Sequence, residues 1–323
     1  MKLNAWVVTG GLMIFSGGAT DLFAQAYPSK PLRMILPFPP GGPTDLLGRT
    51  LGAKMAENIG HAVVIDNRPG AGGNLGVELA AKSAPDGYTM VLSSPLIAIA
   101  PSLYARLNYD PVKDLAPISL AAAVQNVMIV HPSVPAKTLK EFIAMAKANP
   151  GKFNFGSGGS GTTSHLAPEL LKSLAKINMV HVPFKGTGVG MIGLMSGQVD
   201  TLFIAAPIAA PQVNAGKVRA LVVLAEKRTA ALPNVPTTKE AGVDDYVVPL
   251  WYGLLASAGT QRDYIMKLNG EIAKALAAKD VIDKFASAGI DPMPSSPEQF
   301  SSFIRTETVR YAKVIKDAGI KPE

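Results

Sequence analysis

Seven short runs rich in Val, Ile and Leu recur along the chain: LRMILPF, HAVVIDN, YTMVLSS, NVMIVHP, INMVHVPF, QVDTLFIA and RALVVLA. Each is closed by a turn rich in small, polar, glycine or proline residues, and amphipathic helical segments fall between them. Strands that are apolar on both faces must be covered on both faces, the habit of sheets built from strand–helix–strand units. The pattern therefore predicts an α/β fold with mostly parallel sheets flanked by helices. TLKEFIAMAKANPG is the clearest helix, with Thr138 and Glu141 spaced as a capping box and Pro150-Gly151 as its stop.

A chain of 323 residues exceeds what one hydrophobic core comfortably serves, which favours two domains. Hydrophobic content of 48% against 17% charged residues belongs to a packed globular protein. Mean hydropathy is +0.22, yet beyond the N-terminus no apolar stretch reaches the roughly 18 residues of a membrane span. Residues 1–26 combine one Lys, an apolar segment over Ala5 to Phe15 and a terminal Ala24-Gln25-Ala26, the pattern of a secretory signal cleaved after Ala26. Its removal takes one Lys and one Asp, leaving the net charge of +7 unchanged. An exported basic protein suits an anionic ligand, and the lack of any Lys/Arg run of five speaks against nucleic acid. With no cysteine, disulfides and thiolate chemistry are excluded.

The stretch FGSGGSGTTSH at 155–165 meets the spacing of a dinucleotide loop at Gly156, Gly158 and Gly161. The following strand end, INMVHVPFKG, offers no carboxylate for a ribose, and no Gly-Lys-Ser/Thr closes a phosphate loop. Two readings stay open: a backbone cradle for a small anion at a helix N-terminus, or hydroxyls that only cap the helix. LRMILPFPPGGPTDLLGRTL repeats the same order of strand, double-glycine loop, Thr-bearing cap and helix. Two such loops suggest two related lobes meeting at a cleft. The crossings between them are expected at 119–125 and 246–257, giving a division into 27–124 plus 249–323 and 125–248. The C-terminal segments have helical periodicity and are expected to pack on the first lobe.

No metal, cofactor or catalytic residue is read from the sequence. His61, His131, His165 and His181 are scattered, and although Glu169 follows His165 by four residues, such a pair on a first helical turn is an ordinary cap or surface pair. The glycine-serine repeats are too short for the nucleophile elbow of a serine hydrolase.

Taken together, PFPPGGPTD, DNRPGAGGN, PDGYT, FGSGGSGTTSH, HVPFKG and GQVD, in that order, resemble the Bug family of extracytoplasmic solute receptors, the binding components of tripartite tricarboxylate transporters. The resemblance spans residues 27–323. It implies a two-lobed periplasmic binding protein of the Venus-flytrap kind, monomeric, closing on a small di-, tri- or aromatic carboxylate and delivering it to the membrane components of such a transporter. The binding residues it implies are Phe38, Gly41, Gly42, Pro43, Thr44 and Asp45 from one lobe, with Ser157, Gly158, Ser160, Gly161, Thr162 and His165 from the other. Pro40 and Phe184 depart from the family pattern, the latter standing where Tyr is frequent. Asp45 has two readings, a first-turn acid at a helix dipole or an acceptor for a ligand ammonium or hydroxyl. Phe38, Phe184, Trp251 and Tyr252 are either core or an aromatic pocket lining. The rival functions are a periplasmic α/β enzyme acting on a small organic anion, or an interaction module whose loops merely cap helices.

Overall fold

The computed structural model describes residues 27–244 and 246–320, so the expected leader, 1–26, lies outside the described residues. The chain forms two sheets. In the first, β1 (Leu32–Leu36), β2 (Val63–Asn67) and β3 (Thr89–Ser93) are joined by β4 (Leu115–Val124), β10 (Leu250–Ser257) and β11 (Ile290–Pro292), in the order β11-β4-β10-β3-β1-β2. The second holds β5 (Asn126–Val130), β6 (Asn154–Ser157), β7 (Val180–Pro183), β8 (Thr201–Ala205) and β9 (Arg219–Val223), in the order β7-β6-β8-β5-β9.

Helices lie on both faces of each sheet. Around the first sheet are α1 (Pro43–Ile59), α2 (Asn74–Ala81), α3 (Leu96–Leu103), α8 (Arg262–Ala277), α9 (Lys279–Ala288) and α10 (Pro297–Asp317). Around the second are α4 (Leu139–Ala148), α5 (Thr163–Ala175), α6 (Thr187–Met195) and α7 (Ala206–Asn214). Each sheet is thus sandwiched between two buried clusters. Leu47, Leu51 and Met55 of α1 pack with Leu268 and Ile272 of α8 on one face of the first sheet, and Ile97, Ile99, Phe300 and Ile304 pack on the other. In the second sheet Phe142, Phe155 and Leu171 fill one side, and Met191, Leu194 and Ala209 the other. Among the described residues no helix is long and apolar enough to cross a membrane.

The sheets are mixed rather than mostly parallel. The pairs β1–β2, β1–β3, β6–β7 and β6–β8, whose strands belong to successive strand–helix–strand units, are parallel as expected. Every pair made by β4, β5 or β10 is antiparallel. The reason is topological. The two stretches read as crossings are themselves strands, β4 running out of the first sheet and β10 running back into it, paired from Leu250↔Val124 to Ser257↔Leu115. The first passage between sheets is Gln125 alone, and the Asn126 amide Nδ2 donates to the Val248 carbonyl of the return passage at 3.2 Å.

The C-terminal helix α10 packs on the first sheet through Phe300 and Ile304, and its last turns reach the second lobe, where Val314 joins the cluster of α5 and the Asp317 carbonyl accepts from Ser173 Oγ at 3.2 Å. In α4, Thr138 Oγ1 accepts from the Glu141 N–H at 3.2 Å, but the Glu141 carboxylate turns to the Lys137 N–H at 2.6 Å, so the expected capping box is completed one residue early.

Candidate functional site

Between the two sheets lies a cavity with about 570 Å³ of empty space, open solvent at its mouth included. It sits beyond the carboxyl ends of β1, β3, β6, β7 and β8, where open α/β sheets place their ligands. The N-termini of α1, α5, α6 and α7 all meet it, through Gly42–Thr44, Thr162–Ser164, Gly186–Val189 and Ala205, and Ser94 lines it just ahead of α3. None of these four helices carries a side-chain bond from its N-cap, the caps being Gly42, Thr162, Gly186 and Ala205. By contrast α10, away from the cavity, has a complete capping box between Ser296 and Gln299.

The loop hydroxyls hold the loop together instead of capping α5. Thr162 Oγ1 donates to the Gly159 carbonyl at 2.7 Å and lies 2.8 Å from Ser164 Oγ, which accepts from the Gly158 N–H at 2.9 Å. The cap-only reading of this loop therefore fails. In the partner loop the helix starts earlier than its sequence suggests, with Pro43 pre-setting the first turn and Gly42 as cap. Burial raises the pKa of the Tyr252 hydroxyl, and Tyr252 lines the cavity together with Thr44.

Six of the expected residues line this cavity: Phe38, Gly42, Pro43, Thr44, Gly158 and Thr162. Gly41, Asp45, Ser157, Ser160, Gly161 and His165 are not among its lining residues. Burial opposes charge on Asp45, but hydrogen bonds from Arg49, the Gly41 N–H and Asn67 outweigh it and hold the carboxyl below its ordinary value of 3.8. Arg49 Nε reaches both carboxylate oxygens at 3.0 Å, and Asn67 bridges Asp45 to the Phe38 carbonyl. Asp45 therefore ties the first loop in shape through Gly41, instead of facing the cavity. Ser157 is fully buried, its hydroxyl 2.6 Å from His181 Nε2 and accepting from the Gly159 N–H. Ser160 and Gly161 face the other lobe, where Tyr104 donates its hydroxyl to the Ser160 carbonyl at 2.9 Å and Gly161 abuts Leu103 and Tyr104.

His165 lies beneath the loop, where its Nδ1 accepts from the Gly161 N–H at 3.3 Å and its ring stacks on His181 with centroids 4.1 Å apart. Burial, reinforced by the Lys172 charge, lowers its pKa from 6.5 to about 4, so the ring is neutral at pH 7. The unfolded chain takes up this proton near 6.5 and the folded one only near 4. The neutral ring's contribution is thus complete above 6.5 and is lost as pH falls toward 4, by roughly 3 kcal/mol in all. A His165→Gln protein is expected to show a flatter decline of Tm than wild type over this window, and equal slopes would refute the assignment.

Several lining residues carry no signal in the sequence reading of the site. The N-terminus of α6, Gly186–Val189, begins at the last residue of the HVPFKG motif, while Ser94, Asn126 and Ala205 stand at strand ends that only the fold brings together. Of the four aromatic candidates, Phe38 and Tyr252 line the cavity. Trp251, one residue from Tyr252 on β10, points to the opposite face as strand alternation requires, and its indole N–H donates to Glu307 at 3.0 Å. Phe184 lays the far end of its ring over Gly193 of α6, where an added Cβ would lie 2.6 Å from it.

The two lobes touch through backbone at the rim. A Cβ at Gly186 would lie 3.0 Å from the Pro39 ring, and one at Gly72 would lie 2.2 Å from the Ser160 carbonyl oxygen. The structure is therefore a closed arrangement of the lobes.

The profile of the tripartite tricarboxylate transporter family receptors matches residues 47–320. The chain belongs to this family. Among its relatives in the family is BugT of Bordetella pertussis, 36% identical over 326 residues and 99% of each chain. Among solved receptors, Rpa4515 of R. palustris with adipate superimposes with a TM-score of 0.89 at 33% identity, covering 92% of this chain and all of that one. MatC from Rhodopseudomonas palustris with bound malate gives 0.86 at 32% identity, covering 90% of this chain and all of that one. This receptor thus shares its two-lobed fold with proteins solved holding dicarboxylates.

Proposed function

We propose that this receptor is a periplasmic solute-binding protein that captures a small organic carboxylate between its lobes and delivers it to the membrane components of a tripartite tricarboxylate-type transporter, acting as a monomer and without turning the ligand over. The observation that carries the reading is the convergence of four N-termini without N-cap side-chain bonds on a cavity lined by no charged side chain. First-turn N–H groups and aligned peptide dipoles favour an anion by about 0.3–1 kcal/mol per exposed end and up to about 2 when partly buried. The adipate and malate held by its relatives support a carboxylate as that anion. On this reading residues 27–124 with 249–323 form one lobe and 125–248 the other. Expected binding residues are Phe38, Gly42, Pro43, Thr44, Gly158 and Thr162, with Ser94, Asn126, Ser164 and the Gly186–Val189 start of α6 added to them. A ligand gripped from both lobes stabilises the closed arrangement by its differential affinity.

Thermal unfolding of the purified protein against mono-, di- and tricarboxylates, aliphatic, hydroxylated, aminated and aromatic, tests the proposal. A selective rise in Tm is expected, equivalent to about 2.7 kcal/mol at a hundred times the dissociation constant. No shift with any carboxylate would overturn the receptor reading. A product appearing in the NMR spectrum of a bound acid would replace it with the enzyme alternative.

A further inference from the structure

Most polar side chains of the central cavity, between the two sheets, stand at helix starts. Thr44 is in the first turn of α1, Thr162, Thr163 and Ser164 are at the start of α5, and Thr187 is at that of α6. Part of the cavity's polarity is already engaged within the protein. Thr162 Oγ1 donates to the Gly159 carbonyl, Ser164 Oγ accepts from the Gly158 N–H, and Asn126 Nδ2 donates to the Val248 carbonyl. Away from the helix starts the lining is largely hydrocarbon, with Phe38, Leu250 and Tyr252 from one lobe and Phe203 and Ile204 from the other. Leu250 and Tyr252, two apart on β10 and so on one face, join Ala205 of β8 in a single buried cluster, which carries the apolar lining from one sheet to the other.

An anion seated on the helix starts has its charge answered there by N–H groups. A second carboxylate in the same cavity would shed water against hydrocarbon, with no cation among the lining residues to offset the loss. An alkyl or aryl group in that place gains from burial in proportion to its area. We propose that this receptor selects monocarboxylates with an apolar body, aryl or alkyl, over di- and tricarboxylates of equal size. The single carboxylate lies on the helix N-termini and the hydrocarbon lies against Phe38, Leu250, Phe203 and Ile204. This rests on the carboxylate-receptor reading and narrows its ligand class, setting this chain apart from its solved relatives with adipate and malate.

Calorimetric titration of the wild-type protein with pairs of similar shape, para-toluate against terephthalate and hexanoate against adipate, isolates the effect of the second charge. The monoacid is expected to bind about tenfold or more tighter than its diacid, with the negative heat-capacity change of apolar burial. Leu250→Thr, which keeps a residue suited to a strand, and Phe38→Ala, at a partly exposed position, should each weaken the monoacids by about threefold to tenfold and the diacids by less than about twofold. A diacid that binds as tightly as its paired monoacid, or equal losses for both classes in both variants, would overturn the selectivity while leaving carboxylate capture intact. Failure of every acid, malate and citrate included, to bind wild type would overturn the underlying receptor reading as well.

Discussion

Alanine at position 72 is expected to weaken ligand binding by about tenfold to a hundredfold, close to 1.4–2.7 kcal/mol, while the protein stays folded. The added Cβ would sit 2.2 Å from the backbone oxygen of Ser160 and 2.9 Å from the Tyr104 hydroxyl, and neither neighbour is free to yield. Ser160 belongs to the loop that knits the start of α5, and Tyr104 already spends its hydroxyl on that same carbonyl. Residue 72 also has φ of +63°, where any side chain costs about 1–2 kcal/mol. Relief comes most cheaply from parting the lobes, so the closed population falls and apparent affinity falls with it. Titration calorimetry reads the affinity, and small-angle scattering reads the closure, which should be lost or incomplete at saturating ligand. Wild-type affinity with wild-type compaction would show that the loops slide past one another and that the contact does not govern closure.

The largest effect on stability is expected for Trp251→Ala, about 3–5 kcal/mol measured by denaturant unfolding. Trp251 is 1% exposed, packs edge-on against Phe300 and Phe303 and donates to Glu307, which lies buried on α10 with Arg310 3.4 Å away. Arg310 in turn donates to the Val247 carbonyl at 2.7 Å, and Tyr311 to that of Pro249 at 2.9 Å. The substitution opens a cavity and takes one donor from a buried carboxylate, loosening the hold of α10 on the return passage between the sheets. Because the indole faces away from the central cavity, the folded fraction should bind ligand within about twofold of wild type. A loss of stability below about 1 kcal/mol would show that the site collapses around the gap or that Glu307 finds another partner.

The elements most legible in the sequence are those whose cause is local. LRMILPF, QVDTLFIA and TLKEFIAMAKANPG became β1, β8 and α4 because an apolar run or a helical period is a property of neighbouring residues. The paired glycine loops were legible for the same reason, and the fold sets them against one cavity. What was not legible depends on residues far apart. The antiparallel pairing of β4 with β10 joins segments more than a hundred residues from each other, and a run such as SLAAAV carries no mark of its partner. Asp45 reads as a first-turn acid or a ligand acceptor, and only the approach of Arg49 and Asn67 reveals it as the tie that shapes its own loop.

In the proposed receptor, a pocket of apolar walls whose polar groups are amides and hydroxyls would hold its guest with groups that neither titrate near neutrality nor carry bound counterions to be shed. An arginine clamp would hold its guest with full charges, whose attraction ambient electrolyte screens. Capture by oriented dipoles depends chiefly on the guest's own ionisation, a useful property wherever the acidity and salinity of the surroundings are set by the outside world.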